Sequence, residues 1–285
     1  MVARMNPLRA AALLAADPAT FVRKSLARAS GALGFPAGSR TLRIGGVRFE
    51  CDLALDPRVR DMYFSAYEPE EVAFLKRMLH RGEVCVDVGA NIGYFTAVAA
   101  ACVGPTGAVH AFEPVPEYFA RLVALREANP NHHIHAVNDA LGAAEGTARI
   151  QVTRDRNIGW NTLVPGFMEA DAARATHPVR VRRLDEYLVA AGVHQVALVK
   201  LDAEGYELPV LEGLSGLFDR GGRPVILCEV APAAYPHLGR TVSQLFELMA
   251  AHGYRATRVD GLAVGPGDLH ATTNVVFRRT VGTPR

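Results

Sequence analysis

The sequence has few cysteines, no long apolar run and almost no net charge. Its four cysteines are scattered, and none has the close Cys or Cys/His spacing of a structural zinc site. We expect reduced thiols in the core of a cytoplasmic protein, since a free cysteine packs as a small hydrophobe. The 31 Lys and Arg residues against 29 Asp and Glu leave a formal charge of +2. This balance disfavours attraction to a phosphate backbone, so we expect no nucleic-acid partner.

A membrane-spanning segment is also missing, because no run reaches the ~18 consecutive apolar residues that a bilayer requires. The apolar stretch 10–16 stops at Asp17 and Pro18 and is too short for a signal peptide. Residues 1–29 mix leucines with Arg and Lys side chains, the pattern of a basic amphipathic helix. We expect this helix to dock on the protein or to be loose. Peripheral contact with a membrane surface is the alternative.

The first part of the chain is predicted to be an N-terminal extension, residues 1–66, ahead of a main domain, residues 67–285. Residues 30–40 are rich in Gly, Ser and Pro and are typical of a linker, and residues 41–53 alternate around Gly45-Gly46 as a hairpin does. A helix is then predicted to begin at Pro69 and to be capped by Gly82.

Apolar strands and helical patterns alternate from residue 84 onward, which predicts an α/β protein with a largely parallel sheet. We predict core strands over 84–88, 108–113, 133–137, 196–201 and 225–230, late strands over 254–259 and 274–278, and helices beginning near Tyr94, Glu117 and Val242. Two further strands, over 146–152 and 179–182, bracket an irregular stretch around Trp160.

The most informative segment is the glycine turn Gly89-Ala90-Asn91-Ile92-Gly93 between an apolar strand and a helix. Such a turn lets a ligand approach the backbone closely. Asn91 breaks the GxGxxG spacing of a dinucleotide site, and the Asp87 carboxylate would repel a pyrophosphate but can hold an ammonium group. The next strand ends at Glu113, whose carboxylate can accept hydrogen bonds from both ribose hydroxyls. Together the two acids fit S-adenosylmethionine, a nucleoside with a cationic amino-acid tail. The glycine turn and acidic strand end alone leave an NAD-dependent oxidoreductase as an alternative.

With these motifs the chain resembles the FkbM family of class I S-adenosylmethionine-dependent methyltransferases, over about residues 67–277. The resemblance is carried by Tyr67-Glu68-Pro69, the run from Asp87 to Gly93, Phe112-Glu113-Pro114, Asn138-Asp139-Ala140-Leu141-Gly142, Arg183-Leu184-Asp185 and the run from Lys200 to Glu207. It implies a Rossmann-like, seven-stranded and mostly parallel sheet with one late antiparallel strand. The cofactor would lie across the carboxyl ends of the first strands.

The same resemblance implies a role for each matching position. The methionine portion of the cofactor would be held by Asp87, Gly89, Ala90, Asn91 and Gly93, the ribose by Glu113 beside Pro114, and the adenine would be bordered by Asn138, Asp139 and Ala140, with Glu68 and Asp202 completing the cofactor site.

Methyl transfer to oxygen requires a near-attack geometry and a base for the departing proton. Asp202, at the end of the strand over 196–201, is the predicted base, and Lys200 and Glu204 are predicted to tune its charge. A structural network of salt bridges and caps is the alternative for Lys200, Glu204 and Glu207. Asp202, Glu204 and Glu229 would also suit a divalent cation that orients substrate hydroxyls, although their spacing does not require one.

The acceptor is the least determined part of the prediction. Asp202-Ala203-Glu204-Gly205 stands where enzymes that methylate base nitrogens carry an Asp/Asn-Pro-Pro-aromatic run, which disfavours nucleobase chemistry. The resemblance implies a hydroxyl on a sugar, a glycolipid or a polyketide-like natural product, and usage rich in Ala, Arg and Gly indicates a bacterial chain. Trp160, Asn161 and Thr162 are predicted to form part of an acceptor wall, with a packing anchor as the alternative for Trp160. A cofactor-binding module without catalysis remains an alternative function.

Overall fold

The structure is a computed structural model, and it describes residues 14–15, 17–32, 38–153, 159–169 and 171–279. The first part of the predicted N-terminal helix, residues 33–37 of the predicted linker and residues 154–158 therefore lie outside the described residues. The predicted linker bounds are wrong, since residues 30–32 are helical and residues 39–40 belong to a strand. Among the helices that are described, none combines the length and apolar character needed to cross a membrane.

The chain ahead of the central sheet folds into a helix, a hairpin and two more helices. These are Pro18–Ala32 (α1), Ser39–Ile44 (β1), Val47–Asp52 (β2), Pro57–Tyr63 (α2) and Pro69–Met78 (α3). The hairpin is confirmed, and Gly45 and Gly46 have φ values of 53° and 97°, as a two-residue turn with left-handed backbone requires.

The predicted end of α3 is wrong. The helix stops at Met78 instead of continuing to a cap at Gly82, because Leu79 adopts an extended backbone and is buried. Gly82 lies in the following turn, where its N–H donates to the carbonyl of Val103.

The remaining elements alternate strands and helices. In chain order they are Val84–Val88 (β3), Tyr94–Val103 (α4), Ala108–Phe112 (β4), Pro116–Ala128 (α5), His133–Val137 (β5), Ala140–Leu141 (β6), Gly146–Thr153 (β7), Asn161–Thr162 (β8), Ala173–Arg182 (β9), Leu184–Ala190 (α6), Leu198–Leu201 (β10), Glu207–Glu212 (α7), Ser215–Asp219 (α8), Val225–Val230 (β11), Val242–Ala251 (α9), Tyr254–Arg258 (β12) and Thr273–Arg279 (β13). Short 3-10 helices lie at Pro232–Leu238 and Pro266–Asp268.

Within the described residues, the central sheet has seven strands in the order β12-β13-β11-β10-β3-β4-β5. β13 runs antiparallel to both of its neighbours, and the other pairs are parallel. The predicted α/β Rossmann-like fold, with one late antiparallel strand, is confirmed. The chain continues from β3 to β4 on one side and later returns to β10 on the other side. Ligands of open α/β sheets bind at such a switch, outside the carboxyl ends of the strands.

The inserted strands form a second sheet in the order β6-β9-β7-β8. The predicted start of β9 at residue 179 is wrong, since the strand begins at Ala173 and passes through Pro178. On its β6 side, β9 pairs only at Val181 and Arg182, so Pro178 lies along an open edge. Proline is tolerated there because no ladder hydrogen bond is lost.

The hairpin shares a core with the central sheet. Val47, Phe49 and Cys51 are buried in the same apolar cluster as α4 and β3, and the Phe49 ring meets the Tyr94 ring edge-on at 5.7 Å between centroids. No cysteine forms a disulfide, and Cys102 is the least buried of the four. The boundary between residues 66 and 67 stays a prediction about domains, although the packing joins both sides.

Phe49 provides a test of that boundary. Phe49→Ala removes a ring that is only 1% exposed and should destabilise the protein by about 3–5 kcal/mol. Because the hairpin and sheet share a core, calorimetry should show the whole unfolding transition moving to lower temperature. Leu262→Ala, at a side chain 64% exposed, is the control and should change stability by less than about 0.5 kcal/mol. An unmoved main transition in Phe49→Ala would show that the hairpin unfolds separately.

Candidate functional site

A cleft of about 920 Å³, measured out to its opening into solvent, lies at the carboxyl ends of β3, β4 and β10. We call it the active cleft, and its lining includes eleven residues predicted from the sequence: Asp87, Gly89, Ala90, Asn91, Glu113, Pro114, Asp139, Ala140, Lys200, Asp202 and Glu204. Glu68, Gly93 and Asn138 do not line it.

The glycine turn is pressed against the end of β10. Gly89 has a φ of 74°, and a Cβ built there would lie 1.8 Å from the carbonyl oxygen of Asp202, so no side chain fits. The N–H groups of Gly89 and Ala90 both donate to the carbonyl of Phe112 at the end of β4. Asn91, with a φ of 53°, donates its N–H to Glu113 at 2.7 Å. These bonds fix the turn between β4 and β10.

The three predicted residues outside the lining support the active cleft from behind. Gly93, with a φ of 89°, begins α4, and a Cβ there would lie 2.7 Å from the Leu125 side chain, so helix packing requires this glycine. The Asn138 amide donates to the carbonyl of Glu113 at 2.8 Å and braces that strand end. Glu68 precedes α3 with a φ of 39°, and burial raises the pKa of its carboxyl although Lys200 opposes the rise.

Asp87 carries the unpaired acceptor of the active cleft. Its Oδ2 accepts a hydrogen bond from the Thr96 hydroxyl at 2.6 Å, while its Oδ1 is buried and has no partner among the described residues. Burial raises the pKa of Asp87, and the nearby Lys200 ammonium opposes that rise. A buried acceptor without a donor is costly, so a ligand ammonium group fits this position.

Glu113 is held by two backbone donors. Its Oε2 accepts from the N–H of Asn91 at 2.7 Å, and its Oε1 accepts from the N–H of Val115 at 2.8 Å. Burial raises the pKa of Glu113 to about 7 in spite of these bonds. Each carboxylate oxygen accepts two hydrogen bonds, so both oxygens retain capacity for a ligand hydroxyl.

Asp139, one of the three residues predicted to border the adenine, forms an ion pair with Arg182. Asp139 Oδ2 lies 3.3 Å from Arg182 Nη1, and the Arg182 guanidinium in turn lies over the Tyr187 ring, 4.9 Å from its centroid. Asp139 is therefore fixed at the margin of the active cleft, with its second oxygen outside this ion pair.

A buried lysine organises the acids at the end of β10. Lys200 Nζ lies 3.0 Å from Asp202 Oδ2 and 4.6 Å from the centroid of the Phe95 ring. Burial alone would lower the pKa of Lys200, but the charges of Asp202, Asp87 and other acids raise it above its usual range. The Lys200 ammonium is therefore charged, and it forms an ion pair with Asp202.

The carboxyl groups of three side chains form a close cluster. One oxygen from each lies within 4.8 Å of the others, and the residues are Asp202, Glu204 and Glu229. Burial, followed by the charge of Asp202, raises the pKa of Glu204. For Glu229 the charge of Asp202 is the largest cause of a raised pKa, and burial adds to it. Both shifts favour the protonated forms of the two glutamic acids. The same donor set suits a hard divalent cation, which stays a prediction.

Glu207 lies behind the active cleft and acts as a structural cap. It is fully buried, and its Oε1 accepts from the N–H of Gly205 at 2.6 Å while its Oε2 accepts from the Tyr235 hydroxyl at 3.3 Å. Burial raises its pKa to about 7. Of the two interpretations of the acids after β10, the capping network applies to Glu207.

The inserted segment closes one side of the active cleft. Gly159 and Asn161 line it, whereas Trp160 is half-buried and does not. The Thr162 hydroxyl donates to the carbonyl of Glu204 at 2.7 Å and accepts from the N–H of Val164 at 3.0 Å. The second sheet is thereby fastened to the loop that carries the acids.

An aromatic wall was missed by the sequence reasoning. Tyr67, Tyr94 and Phe95 line the active cleft, and the rings of Tyr67 and Tyr94 meet edge-on at 5.6 Å between centroids. Tyr94 and Phe95 directly follow the glycine turn, which is the available signal. A buried helix face has the same pattern, so the sequence does not separate the two roles.

The sequence profile of the family described as Methyltransferase FkbM domain matches residues 87–256. The 31-O-demethyl-FK506 methyltransferase FkbM of Streptomyces tacrolimicus is 27% identical over 230 residues, which cover 72% of this chain and 84% of that protein. The hexuronic acid methyltransferase AglP of Haloferax volcanii is 27% identical over 159 residues, 55% of this chain and 59% of that protein.

A third relative is much longer than this chain. The AMB antimetabolite synthetase AmbE of Pseudomonas aeruginosa is 28% identical over 213 residues, which cover 64% of this chain but 10% of that protein.

Among solved structures, the methyltransferase FkbM from Methylobacillus flagellatus aligns with a TM-score of 0.42 and 15% identity, covering 94% of this chain and 60% of that one.

The structural role of Glu207 predicts a pH-dependent stability. Its pKa rises from 4.5 to about 7 on folding, so the stabilisation from its proton is present below pH 4.5 and lost as the pH rises to about 7. Glu207→Gln stays neutral, and its amide oxygen can accept from the N–H of Gly205 while its amide nitrogen can donate to the Tyr235 hydroxyl oxygen. We expect this variant to exceed the wild type by on the order of 2 kcal/mol at about pH 8, with the difference shrinking toward about pH 5.

Urea unfolding at the two pH values measures this difference. Glu247→Gln, an exposed position on α9, is the matched control and should follow the wild type at both. Equal destabilisation of Glu207→Gln at both pH values would contradict the buried proton.

Proposed function

Because the chain belongs to the FkbM family of S-adenosylmethionine-dependent methyltransferases, we propose that it transfers the methyl group to a hydroxyl of a small molecule. The observation that carries the proposal is the pairing of Asp87 and Glu113 across the glycine turn. Asp87 offers a buried oxygen without a donor, and Glu113 keeps free acceptor capacity on both oxygens. These two positions match the ammonium group and the ribose hydroxyls of the cofactor.

S-adenosylmethionine supplies an electrophilic methyl group on a sulfonium. Asp87 would bind the ammonium end, the backbone from Gly89 to Asn91 would border the methionine portion, and Asp139 and Ala140 would border the adenine. Gly89 packs against β10 without a side chain, and the turn lines the active cleft, so its backbone is placed for this approach.

Asp202 is the base in this proposal. Its side chain forms an ion pair with Lys200 at 3.0 Å, is 27% exposed and lines the active cleft. Glu204 and Glu229 hold their protons and therefore do not compete for the proton of the acceptor. An acceptor hydroxyl at this position would pass its proton to Asp202 as its oxygen attacks the methyl carbon, so no free alkoxide forms.

The acceptor class follows from the family and from the lining. One relative is named for an O-demethylated FK506 and another for a hexuronic acid, so polyketide-like and saccharide hydroxyls are the classes we propose. The wall of Tyr67, Tyr94 and Phe95 offers apolar faces on which a sugar or macrocycle packs. We propose no nucleic-acid acceptor, given the balanced charge.

A non-catalytic cofactor-binding module is the second candidate, because an intact cofactor site does not by itself prove turnover. Titration calorimetry with S-adenosylhomocysteine, run beside NAD, separates the cofactor classes. Binding of the thioether alone supports a methyltransferase or a module, and a preference for NAD would contradict both.

The test of catalysis is Asp202→Asn. Loss of the carboxylate removes the proton acceptor, so we expect turnover to fall by about 100-fold or more while S-adenosylhomocysteine affinity changes little. The measurement is transfer of a labelled methyl group to a panel of hexuronic acids, hexoses and macrolide alcohols.

Asp219→Asn, at an exposed site on α8, is the matched control and should keep wild-type turnover. Chelation with EDTA distinguishes proton transfer to Asp202 from a divalent cation held by Asp202, Glu204 and Glu229. Proton transfer alone is insensitive to EDTA, whereas a bound cation would be removed. A variant Asp202→Asn that retains more than about a tenth of the activity would contradict its role as the base.

The pKa of Glu113 predicts how cofactor binding depends on pH. Ribose hydroxyls favour the ionised carboxylate, and Glu113 ionises at about pH 7. The affinity for S-adenosylhomocysteine should therefore rise by up to about tenfold between about pH 6 and pH 8. Calorimetry on Glu113→Gln should show weaker binding without this rise. An unchanged pH profile in Glu113→Gln would remove Glu113 from the cofactor site.

A further inference from the structure

A second cleft lies beside the active cleft and has the opposite charge. It has a volume of about 910 Å³, measured out to open solvent, and its walls come from α1, β1, α3 and α4. Three cationic side chains line it: Arg23, Arg43 and Lys76. We call it the basic cleft.

The described residues that line the basic cleft carry more positive than negative charge. Asp17 is the one acid among the described lining residues, and its Oδ1 already accepts from the N–H of Thr20 at 3.0 Å. None of the three cations forms an ion pair within the described part of the chain, and Arg23 donates to the carbonyl of Ser65 at 3.5 Å.

Other basic side chains of this protein do find carboxylates. Arg182, Arg183 and Lys200 each pair with an Asp at 2.6–3.3 Å. In the basic cleft, three separate elements instead bring cations around one concave surface. A concave wall concentrates their field, and their mutual repulsion is relieved when an anion enters.

A phosphate group matches this arrangement better than a single carboxylate does. It carries up to two charges and three strong acceptor oxygens. Guanidinium groups bind phosphate through paired donors, and lysine adds a mobile point charge. Two Arg and one Lys from different sides therefore suit a tetrahedral oxyanion.

The basic cleft adjoins the active cleft through shared residues. Tyr67 and Tyr94 line both clefts. The charge of Arg23 reaches Tyr94, where it opposes the rise of the tyrosine pKa to about 12 that burial causes. A ligand in the basic cleft would therefore lie against the same aromatic wall as a ligand in the active cleft.

We propose that the basic cleft is a binding site for a phosphate group, carried by a soluble phosphate ester or by a lipid headgroup. This assignment goes beyond methyl transfer and does not depend on it. A lipid source has a structural basis, because α1 presents Val22 and Leu26, each 52% exposed, on the helix that also carries Arg23.

The test is the affinity of the full chain for inorganic pyrophosphate, measured by titration calorimetry. The double variant Arg43→Gln/Lys76→Gln removes two cations at exposed positions, and we expect its dissociation constant to rise by about tenfold or more. Arg255→Gln/Arg258→Gln removes the same charge from exposed positions on β12 and should bind as the wild type does. S-adenosylhomocysteine affinity should be unchanged in both variants.

Vesicle sedimentation distinguishes the two sources of phosphate. Co-sedimentation with phosphatidylglycerol vesicles, but not phosphatidylcholine vesicles, that Arg43→Gln/Lys76→Gln abolishes would identify a headgroup. Pyrophosphate binding without co-sedimentation would identify a soluble ester. Absence of both, or equal weakening by the β12 variant, would overturn the proposal. Failure of the wild type to bind S-adenosylhomocysteine would instead count against the proposed methyl transfer and leave the pyrophosphate result intact.

Discussion

The close contact between the glycine turn after β3 and the end of β10 is the constraint on which the site depends. A Cβ at Gly89 would lie 1.8 Å from the carbonyl oxygen of Asp202, so the two strand ends meet without any intervening side chain. Because β3 and β10 are adjacent parallel strands, with Asp87 opposite Lys200, this contact brings the acid of one strand beside the lysine of the other. Asp87, the acid proposed to bind the cofactor, and Asp202, the proposed base, are therefore positioned by the same backbone packing.

Charged side chains near this contact are costly to bury. Some of them have ion-pair or hydrogen-bond partners within the protein, and one carboxyl oxygen does not. Lys200 is balanced by Asp202 at 3.0 Å, and Glu113 by two backbone N–H donors. Asp87 Oδ1 has no donor among the described residues. Unsatisfied buried acceptors are rare in native proteins and concentrate where a ligand completes them. This difference in hydrogen bonding distinguishes Asp87 from the acids that the fold itself satisfies, and it is the basis for its proposed role in binding the cofactor.

The sequence predicted the strands well because each core strand is an apolar run ended by a turn or an acid. It predicted the glycine turn for the same reason, since strand, turn and helix follow each other directly. Its errors come from tertiary packing. The end of α3 depends on the burial of Leu79, and β9 continues through Pro178 because its partner strand is short.

The roles of some residues could not be separated from the sequence for a different reason. Gly89 and Gly93 both have positive φ, but one contacts a strand end beside the active cleft and the other packs on Leu125. A sequence shows only that glycine is present, and either packing or ligand approach explains it. Tyr67 and Tyr94 were missed because a cleft wall and a helix core use the same aromatic residues. The role of such residues is set by contacts between segments that are distant in the sequence, and a local sequence pattern does not show these contacts.

The formal charge of +2 conceals two opposite local fields. The active cleft contains Asp87, Glu113 and Asp202 around one lysine, and the basic cleft contains three cations against one acid. A cationic cofactor is attracted to the first and repelled by the second, and a phosphate group has the reverse preference. Discrimination of this kind comes as much from repulsion at the wrong site as from attraction at the right one. The tyrosines between the clefts are uncharged, so they separate the two fields while giving both ligands an apolar surface.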